Sequence, residues 1–270
     1  MVIDLAPLQV ASGQAPRLAR RDPGDRLGLT GKAESRKLRD ALHDELEELH
    51  GRLWAEARRS VLLVLQGVDT SGKDGVIRRV LTGLNPQGCS VTSFKAPTTL
   101  ELEHDYLWRV HNACPARGRL GVFNRSHYED VVAARVLGIV DERHWRRRYR
   151  HLRDFEQMLG NEGTTVVKVF LNISRDEQRQ RLQARLDDAT KRWKFKPEDL
   201  EAREQWDAYQ AAYEEAITET STDVAPWWIV PGDRKWVRDV AVATLLLETL
   251  RRLDPQFPPP DPGLDGVIVE

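Results

Sequence analysis

A glycine-rich segment between an apolar run and a helix carries the residues best suited to chemistry. Gly67, Gly72 and Lys73 fit the spacing G-x-x-x-x-G-K, directly after the apolar residues 61–65. Glycines let backbone N–H groups turn inward around phosphate oxygens, and the N-terminus of the following helix points positive charge at the same anion. Lys73 adds a mobile cation for transferring phosphates. The pattern predicts a phosphate-binding loop, whereas an ordinary strand-to-helix turn would use the same glycines for shape alone.

The position after Lys73 departs from the usual form of this motif. A Ser or Thr hydroxyl normally binds magnesium there, but this sequence has Asp74. Asp74 would repel phosphates unless it faces away or meets a metal. Asp69, inside the loop, is the better-placed carboxylate, because magnesium prefers hard oxygen ligands next to phosphates. The departure argues against regulatory GTPases and standard ATPases.

A second polar segment follows the apolar run at residues 120–123. Asn124 stands where a phosphate-loop protein normally carries a metal-directed Asp, and Arg125 follows it. An amide orients a water or a phosphate but is a weaker magnesium ligand, whereas a guanidinium grips phosphate through paired N–H groups. Glu129 and Asp130 fit either contact with nucleotide or metal, or capping of the next helix.

These motifs lie in a pattern of strands alternating with helices. Short apolar runs are separated by helix-length amphipathic stretches, which is typical of parallel sheets. We expect a three-layer α/β/α fold with a central five-stranded parallel sheet. The predicted strands are residues 61–65, 90–94, 120–123, 165–171 and 227–230. The predicted helices are residues 34–58, 74–84, 100–112, 127–138, 142–159 and 233–253, with a helical hairpin after residue 175.

Three regions of different composition divide the chain. Residues 1–33 are rich in Pro, Gly, Arg and Asp and lack periodicity, so they predict an irregular N-terminal arm. Residues 34–253 are expected to form the main domain, with residues 175–207 as a helical lid hairpin within it. Residues 254–270 hold a proline-rich tail that cannot be helical.

Composition excludes several classes of protein. The 41 basic residues nearly cancel the 42 acidic ones, so anion binding must come from local clusters. The longest aliphatic run is far shorter than the roughly 20 residues of a membrane span, and the N-terminus lacks the features of a signal peptide. The two cysteines match no metal or redox spacing and favour a reducing compartment. We expect a cytoplasmic protein that binds neither membranes nor nucleic acids.

Taken in order, the motifs resemble the polyphosphate kinase type 2 family of phosphate-loop kinases. The resemblance implies that residues 34–253 form a phosphate-loop kinase domain with a sheet of the phosphate-loop kinase type. The similar stretches are residues 65–75, 85–88, 92–97, 107–111, 123–130, 191–197 and 226–236. Asn124 followed by Arg-Ser-His-Tyr-Glu-Asp is similar to the subgroup that phosphorylates both AMP and ADP, its class III. Thr70 and Ser71 differ from the alanines common in that loop, and Gly232 stands where Ala is usual.

The resemblance implies reversible transfer of the terminal phosphoryl group of inorganic polyphosphate to AMP and/or ADP. It implies Mg²⁺ as the metal, with Mn²⁺ as a substitute, AMP, ADP and ATP as ligands, and a homodimer or homotetramer. The expected catalytic residues are Asp69, Lys73, Arg125 and Arg185, and the expected metal ligands are Asp69 and Asp199. The expected phosphate- and nucleotide-binding residues are Gly67, Thr70, Ser71, Gly72, Asp74, Gly75, Lys95, Arg109, Asn124 and Glu129. The expected polyphosphate-binding residues are Arg181, Lys191, Arg192 and Lys194.

The charges of the lid fit a polymeric anion. Arg181 and Arg185 lie four residues apart and share a helix face, which a closing lid would bring over the phosphates. A donor without base or sugar offers only charge and phosphate oxygens, so a row of Lys and Arg is the expected recognition element. A further basic run at residues 143–153 is either a solvated helix face or an entrance track for the polymer.

Two other functions stay open from the sequence. An ATP-dependent nucleoside monophosphate kinase would share the loop, although the basic hairpin and Asp74 argue against it. A non-catalytic polyphosphate- or nucleotide-binding protein would keep the loop and lose Lys73 without losing its role. Nucleic-acid binding through the arginine run is disfavoured by the net charge of -1.

Overall fold

The chain forms a six-stranded sheet, described by a computed structural model for residues 3–264 and 267–269. The strands are β1 (Gln9–Val10), β2 (Ser60–Gln66), β3 (Cys89–Ser93), β4 (Leu120–Asn124), β5 (Thr164–Asn172) and β6 (Trp227–Pro231). Their order across the sheet is β1-β6-β5-β2-β4-β3, with β2 to β6 parallel and β1 antiparallel to β6. The predicted α/β class with a parallel sheet is confirmed.

The sheet has one strand more than the five predicted from the sequence. The additional strand, β1, comes from the N-terminal arm and has two residues, which is too short for any alternation to show in the sequence. The arm also contains 3-10 turns at Ala6–Leu8 and Leu18–Arg20. Leu8, Val10 and Leu18 are buried against the sheet and its helices, so the arm packs as part of the fold.

The described residues form ten α-helices, and the longer ones among them pack on the two faces of the sheet. The ten helices are α1 (Lys32–Glu56), α2 (Lys73–Val80), α3 (Thr99–Leu102), α4 (Trp108–Ala113), α5 (Ala133–Val136), α6 (Glu142–Asn161), α7 (Arg175–Asp187), α8 (Glu198–Glu204), α9 (Trp206–Thr220) and α10 (Lys235–Leu253). The helix predicted at 100–112 is divided, because the Asp105 carboxylate accepts the N–H of Leu107 and turns the chain. The helix predicted at 127–138 is also divided, since Ser126 caps a 3-10 turn at His127–Asp130 before α5.

Two apolar layers enclose the sheet. The layer formed with α1, α2 and α10 includes Leu46, Val76 and Leu246, and the opposite layer, formed with α6 and α9, includes Leu152 and Ile217. Strand β2 is buried along its whole length. Because β2, β4, β5 and β6 run in parallel, their carboxyl ends meet at one edge of the sheet, where ligands bind in open α/β folds.

The ends of the chain complete the description. Residues 254–264 of the proline-rich tail contain neither helix nor strand. Residues 1, 2, 265, 266 and 270 of the predicted arm and tail lie outside the described residues. Within the described part of the chain, none of the helices combines the length and apolarity that crossing a lipid bilayer requires.

A buried ion pair lies between β5 and α6. The Lys168 ammonium donates to Glu156 at 2.6 Å, to the Thr220 carbonyl at 2.6 Å and to the Tyr128 hydroxyl at 3.1 Å. Both charged side chains are at most 1% exposed. Burial alone would raise the pKa of Glu156, but the Lys168 ammonium reverses this and the pKa is lowered. Glu156 is therefore a carboxylate in the core, and its charge counteracts the lowering of the Lys168 pKa by burial.

Removing one partner of this pair should destabilise the fold more than removing both. Glu156→Gln leaves the Lys168 charge uncompensated, and such a loss costs about 3–5 kcal/mol. The double variant Glu156→Leu/Lys168→Met replaces the pair by apolar groups and should be more stable than Glu156→Gln. Urea denaturation of both variants and of the surface control Asp154→Asn measures the difference. Equal losses in the single and double variants would contradict the uncompensated-charge account.

Candidate active site

The predicted phosphate loop joins β2 to α2 at the carboxyl edge of the sheet. Gly67 and Gly72 have φ of 144° and 100°, a conformation that other residues rarely adopt. A Cβ at Gly67 would lie 2.9 Å from the Leu171 carbonyl oxygen, and a Cβ at Gly72 would lie 1.9 Å from the Arg238 guanidinium. Both positions therefore require glycine, because the backbone has positive φ and because Leu171 and Arg238 leave no room for a Cβ.

Lys73 begins α2 and is buried in the loop. Its ammonium donates to the Gly67 carbonyl at 2.7 Å and lies 3.4 Å from both the Val68 carbonyl and the Ser71 hydroxyl. Burial and the positive charge of Arg125 lower the pKa of Lys73 to about 8. The ammonium therefore lies inside the turn of the loop, beside the N-terminus of α2.

Asp69 and Arg125 face each other across the cleft. Arg125 follows β4 in a left-handed conformation with φ of 62°, and its guanidinium donates to Asp69 Oδ1 at 2.6 Å. It also lies 3.8 Å from a Glu129 oxygen. Burial alone would lower the pKa of Arg125, but Glu129 and Asp69 outweigh it and raise the pKa. Arg125 is thus a permanent cation next to the loop.

Asp74 points away from the turn of the loop. Its Oδ1 accepts a hydrogen bond from the Asn124 amide at 2.8 Å, and its Oδ2 lies 3.5 Å from the Lys194 ammonium at the tip of the lid. Burial alone would raise the pKa of Asp74, whereas Asn124 and Lys194 lower it. The carboxylate that replaces the usual Ser or Thr therefore contacts the neighbouring strand and the lid.

Gln66 is a buried polar residue that the sequence did not single out. With its amide turned to satisfy all neighbours, it donates to Glu129 Oε1 at 3.0 Å and to the Tyr213 hydroxyl at 3.1 Å, and accepts from the Ser126 N–H at 3.1 Å. Gln66 thereby joins the end of β2 to the segment after β4 and to α9. The feature of the sequence that could have identified Gln66 as a site residue is its position at the end of a wholly apolar strand, directly before Gly67.

The lid consists of α7, a 3-10 turn at Arg192–Lys194, and α8. Arg185 lies 3.7 Å from Asp199, which also accepts the Lys196 N–H at 3.1 Å. Burial and the negative charge of Asp69 raise the pKa of Asp199. The negative charges of Asp69 and Asp199, the two predicted metal ligands, therefore repel each other across the cleft.

The donor set fits a magnesium ion that shares its coordination with a substrate. Among the described residues there is no group of three or more His, Cys, Asp or Glu side chains that could hold a metal alone. Magnesium usually keeps several waters and takes one or two carboxylates together with substrate phosphates. Asp69 and Asp199 can supply those carboxylates.

The other predicted lid cations are more exposed. Lys191 pairs with Asp188, and Arg192 donates to the Leu186 carbonyl at 2.5 Å. Lys194 lies over the Trp193 ring at 5.1 Å. Contacts within the lid therefore hold Lys191 and Arg192, whereas Lys194 also reaches Asp74 of the loop.

Lys95 and Arg109 form a separate cationic group after β3. The Arg109 guanidinium donates to the Lys95 carbonyl at 2.9 Å and lies 3.8 Å from Glu101 and 3.7 Å from Asp130. The Lys95 side chain is exposed. This group lies at the same edge of the sheet as the loop.

Ion pairs and hydrogen bonds hold much of the arginine run on α6. Arg146 pairs with Glu142 and Glu215, and Arg148 donates to the Asp130 carbonyl at 2.7 Å. These contacts are typical of a solvated helix face that also pins neighbouring segments.

Comparisons with known proteins agree with the site. The chain is 50% identical over 254 residues to the AMP/ADP-polyphosphate phosphotransferase of Meiothermus ruber, which covers 94% of this chain and 95% of that protein. It is 45% identical over 232 residues to the ADP-polyphosphate phosphotransferase of Rhodopseudomonas palustris, which covers 82% of this chain and 80% of that protein.

Comparison with solved structures agrees with these sequence matches. The crystal structure of polyphosphate kinase 2 from Arthrobacter aurescens superimposes with a TM-score of 0.91 at 45% identity, covering 96% of this chain and 95% of that one. The family described as polyphosphate kinase 2 matches residues 30–258. The resemblance inferred from the motifs is confirmed, and this chain belongs to the polyphosphate kinase 2 family.

Proposed function

We propose that the protein transfers the terminal phosphoryl group of inorganic polyphosphate to AMP and/or ADP, and that the transfer is reversible. The observation that carries this proposal is the meeting of a phosphate loop, a cleft cation and a basic lid tip within one cleft. Lys73 lies in the loop, Arg125 lies beside Asp69, and Lys194 reaches Asp74. The names of the Meiothermus ruber and Rhodopseudomonas palustris relatives support the same substrates.

Phosphoryl transfer asks the protein for alignment and for neutralisation of spread negative charge. The loop N–H groups and the Lys73 ammonium bind the oxygens of the terminal phosphates. Arg125 leaves its contact with Asp69 in part and grips the migrating group through two parallel N–H groups. Arg185, one helical turn beyond Arg181, closes from the lid and excludes water.

Magnesium, or manganese in its place, would be held by Asp69 and Asp199. When bound there, the cation supplies positive charge to the phosphate oxygens during transfer. Asp69 is held for this role by Arg125, and Asp199 by the Lys196 N–H. Burial, with the negative charge of Asp69 added, raises the pKa of Asp199, and a bound cation would oppose this shift.

The acceptor nucleotide would bind on the β3 and β4 side of the loop. Lys95 and Arg109 provide cations there for its phosphate, and Glu129 and Asn124 border the transfer point. The donor chain would run past the lid tip, where Lys191, Arg192 and Lys194 meet its charges. We further propose that the protein works in the cytoplasm as a homodimer or homotetramer and that ATP is the product formed from ADP.

The two alternative functions differ from this proposal in the phosphoryl donor that the protein uses and in whether its role requires Lys73. We expect rapid formation of ADP from AMP with polyphosphate and little with ATP as donor. Lys73→Ala should abolish turnover, because the cation inside the loop is lost, while circular dichroism and thermal unfolding show a retained fold. Lys37→Ala, on the exposed face of α1, is the matched control. Equal rates with ATP would favour a nucleoside monophosphate kinase, and wild-type turnover in Lys73→Ala would refute the role of Lys73.

Polyphosphate use should weaken on the alkaline side of neutrality. The pKa of Lys73 is lowered to about 8, so the free protein loses this cation as the pH rises through that value. We expect kcat/KM for polyphosphate to fall about tenfold per pH unit above the transition, since this parameter reports the free enzyme. Bound phosphate favours the charged lysine, so kcat should decline at higher pH than kcat/KM.

The effect of Lys73 titration on the stability of the fold has the opposite sign to its effect on kcat/KM, so the two can be distinguished. The pKa of Lys73 is lower in the folded chain than in the unfolded one, so the unfolded state binds more protons between the two values. The contribution of Lys73 to stability therefore rises with pH across that window. Circular dichroism from pH 7 to 9.5 checks that the fold persists, and a flat kcat/KM over this range would contradict the assignment.

The lid tip should govern the affinity for the polymer. Lys191→Ala/Lys194→Ala removes two exposed cations, each worth at most about 1 kcal/mol, so KM for polyphosphate should rise up to about thirtyfold with kcat little changed. The dependence of KM on salt should also weaken. Arg143→Ala/Arg147→Ala on α6 tests the alternative track: an equal rise in KM there would move the polymer path from the lid to α6.

A further inference from the structure

Arg181 fastens the lid to the back of the phosphate loop. Its guanidinium donates to the carbonyls of Thr70 and Ser71, both at 2.9 Å. It also donates to the Gly232 carbonyl at 2.6 Å and to the Asp233 carbonyl at 3.2 Å. Its Nε donates to Glu177 on the same helix at 2.7 Å. Every N–H group of the side chain is thus directed at a protein oxygen.

The contacts with the loop fix the direction of its peptide groups. The carbonyl oxygens of Thr70 and Ser71 point to the outside of the turn, toward Arg181, and the N–H groups of the same peptide units point the other way. Thr70 has a left-handed conformation with φ of 65°, which a non-glycine residue keeps only when its surroundings hold it. Arg181 holds the carbonyls of Thr70 and of the residue after it, and Gln178 of the same helix donates to the carbonyl of the residue before it, Asp69, at 3.3 Å.

A second buried guanidinium supports the same face. Arg238 on α10 lies 3.4 Å from the Ser71 carbonyl and is held by Asp239 at 2.6 Å. A Cβ at Gly72 would lie 1.9 Å from Arg238 and 3.5 Å from Arg181. The two arginines therefore form a wall behind the loop, and they add positive charge without facing the cleft.

The root of the lid is fixed through the same side chain. The Ser174 N–H, just before α7, donates to the Asp233 carboxylate at 2.8 Å. Arg181 then ties the second turn of α7 to Gly232 and Asp233. Arg185 follows one turn later and faces Asp199 instead. Any movement of the lid would accordingly begin beyond Arg181.

We infer that Arg181 is a positioning residue that sets the peptide planes of the loop and anchors the base of the lid, and that it does not contact polyphosphate. This replaces the polymer-binding role expected from the sequence, and it rests on the proposed function of the site. The side chain is 10% exposed, and a phosphate could bind it only by displacing backbone carbonyls. Lysine cannot substitute, because one ammonium cannot span acceptors on three segments.

The experiment compares Arg181→Ala and Arg181→Lys with Arg179→Ala, an exposed arginine of the same helix whose partner is Asp176 at 3.9 Å. Initial rates with polyphosphate and AMP are measured at several salt concentrations. Amide hydrogen exchange of residues 67–73 and 174–180 is measured without substrate. A positioning role predicts that both Arg181 variants lose at least tenfold in kcat and exchange faster in both segments. It also predicts an unchanged salt dependence of KM, and Arg179→Ala should match the wild type.

A contact role gives a different pattern. If Arg181 bound the polymer, Arg181→Lys would restore most activity, the salt dependence of KM would weaken in Arg181→Ala, and exchange in the free protein would not change. Any of these three results overturns the inference. The hydrogen-exchange measurement does not depend on turnover, so it tests the positioning role of Arg181 even if polyphosphate proves not to be a substrate. If Arg181→Ala fails to fold, Arg181→Lys carries the same comparisons.

Discussion

The site depends on packing several cations around one short turn before any anion is present. Lys73 lies inside the turn, Arg125 beside it, and Arg181 and Arg238 behind it. Their mutual repulsion and their burial oppose folding, and burial lowers the pKa of Arg238 even next to Asp239. The carboxylates paired with them offset part of this cost. The remaining positive potential is concentrated at the loop, where the phosphates are proposed to bind.

The arrangement explains why most of these cations are held by fixed oxygens. A guanidinium that donates to backbone carbonyls cannot swing into the cleft, so its charge acts at a set distance while its geometry shapes the loop. Lys194 at the lid tip has looser contacts and greater exposure. In the proposed mechanism, the rigid cations set the point of transfer, and the more flexible lid cations bind a polymer whose length and position vary.

The sequence was a good guide where structure is local. The loop, Asp69 and the cation after β4 are encoded within short segments, and the helical boundaries of α6 and α10 follow from periodicity. It failed where contacts join distant segments. Nothing in the spacing links Arg238 to Ser71, which lies 167 positions away, or Gln66 to Tyr213. Strand β1 was missed because two residues carry no alternation.

Arg181 shows that one helical spacing is compatible with more than one role. It lies four residues from Arg185, so both side chains were placed on one face directed at the phosphates. That face is wide enough for the two to meet different neighbours: Arg181 contacts the loop and the connection after β6, and Arg185 contacts Asp199. Helical periodicity fixes which residues share a face. It does not fix which of them reaches substrate, because that depends on the acceptors that the rest of the fold brings within reach.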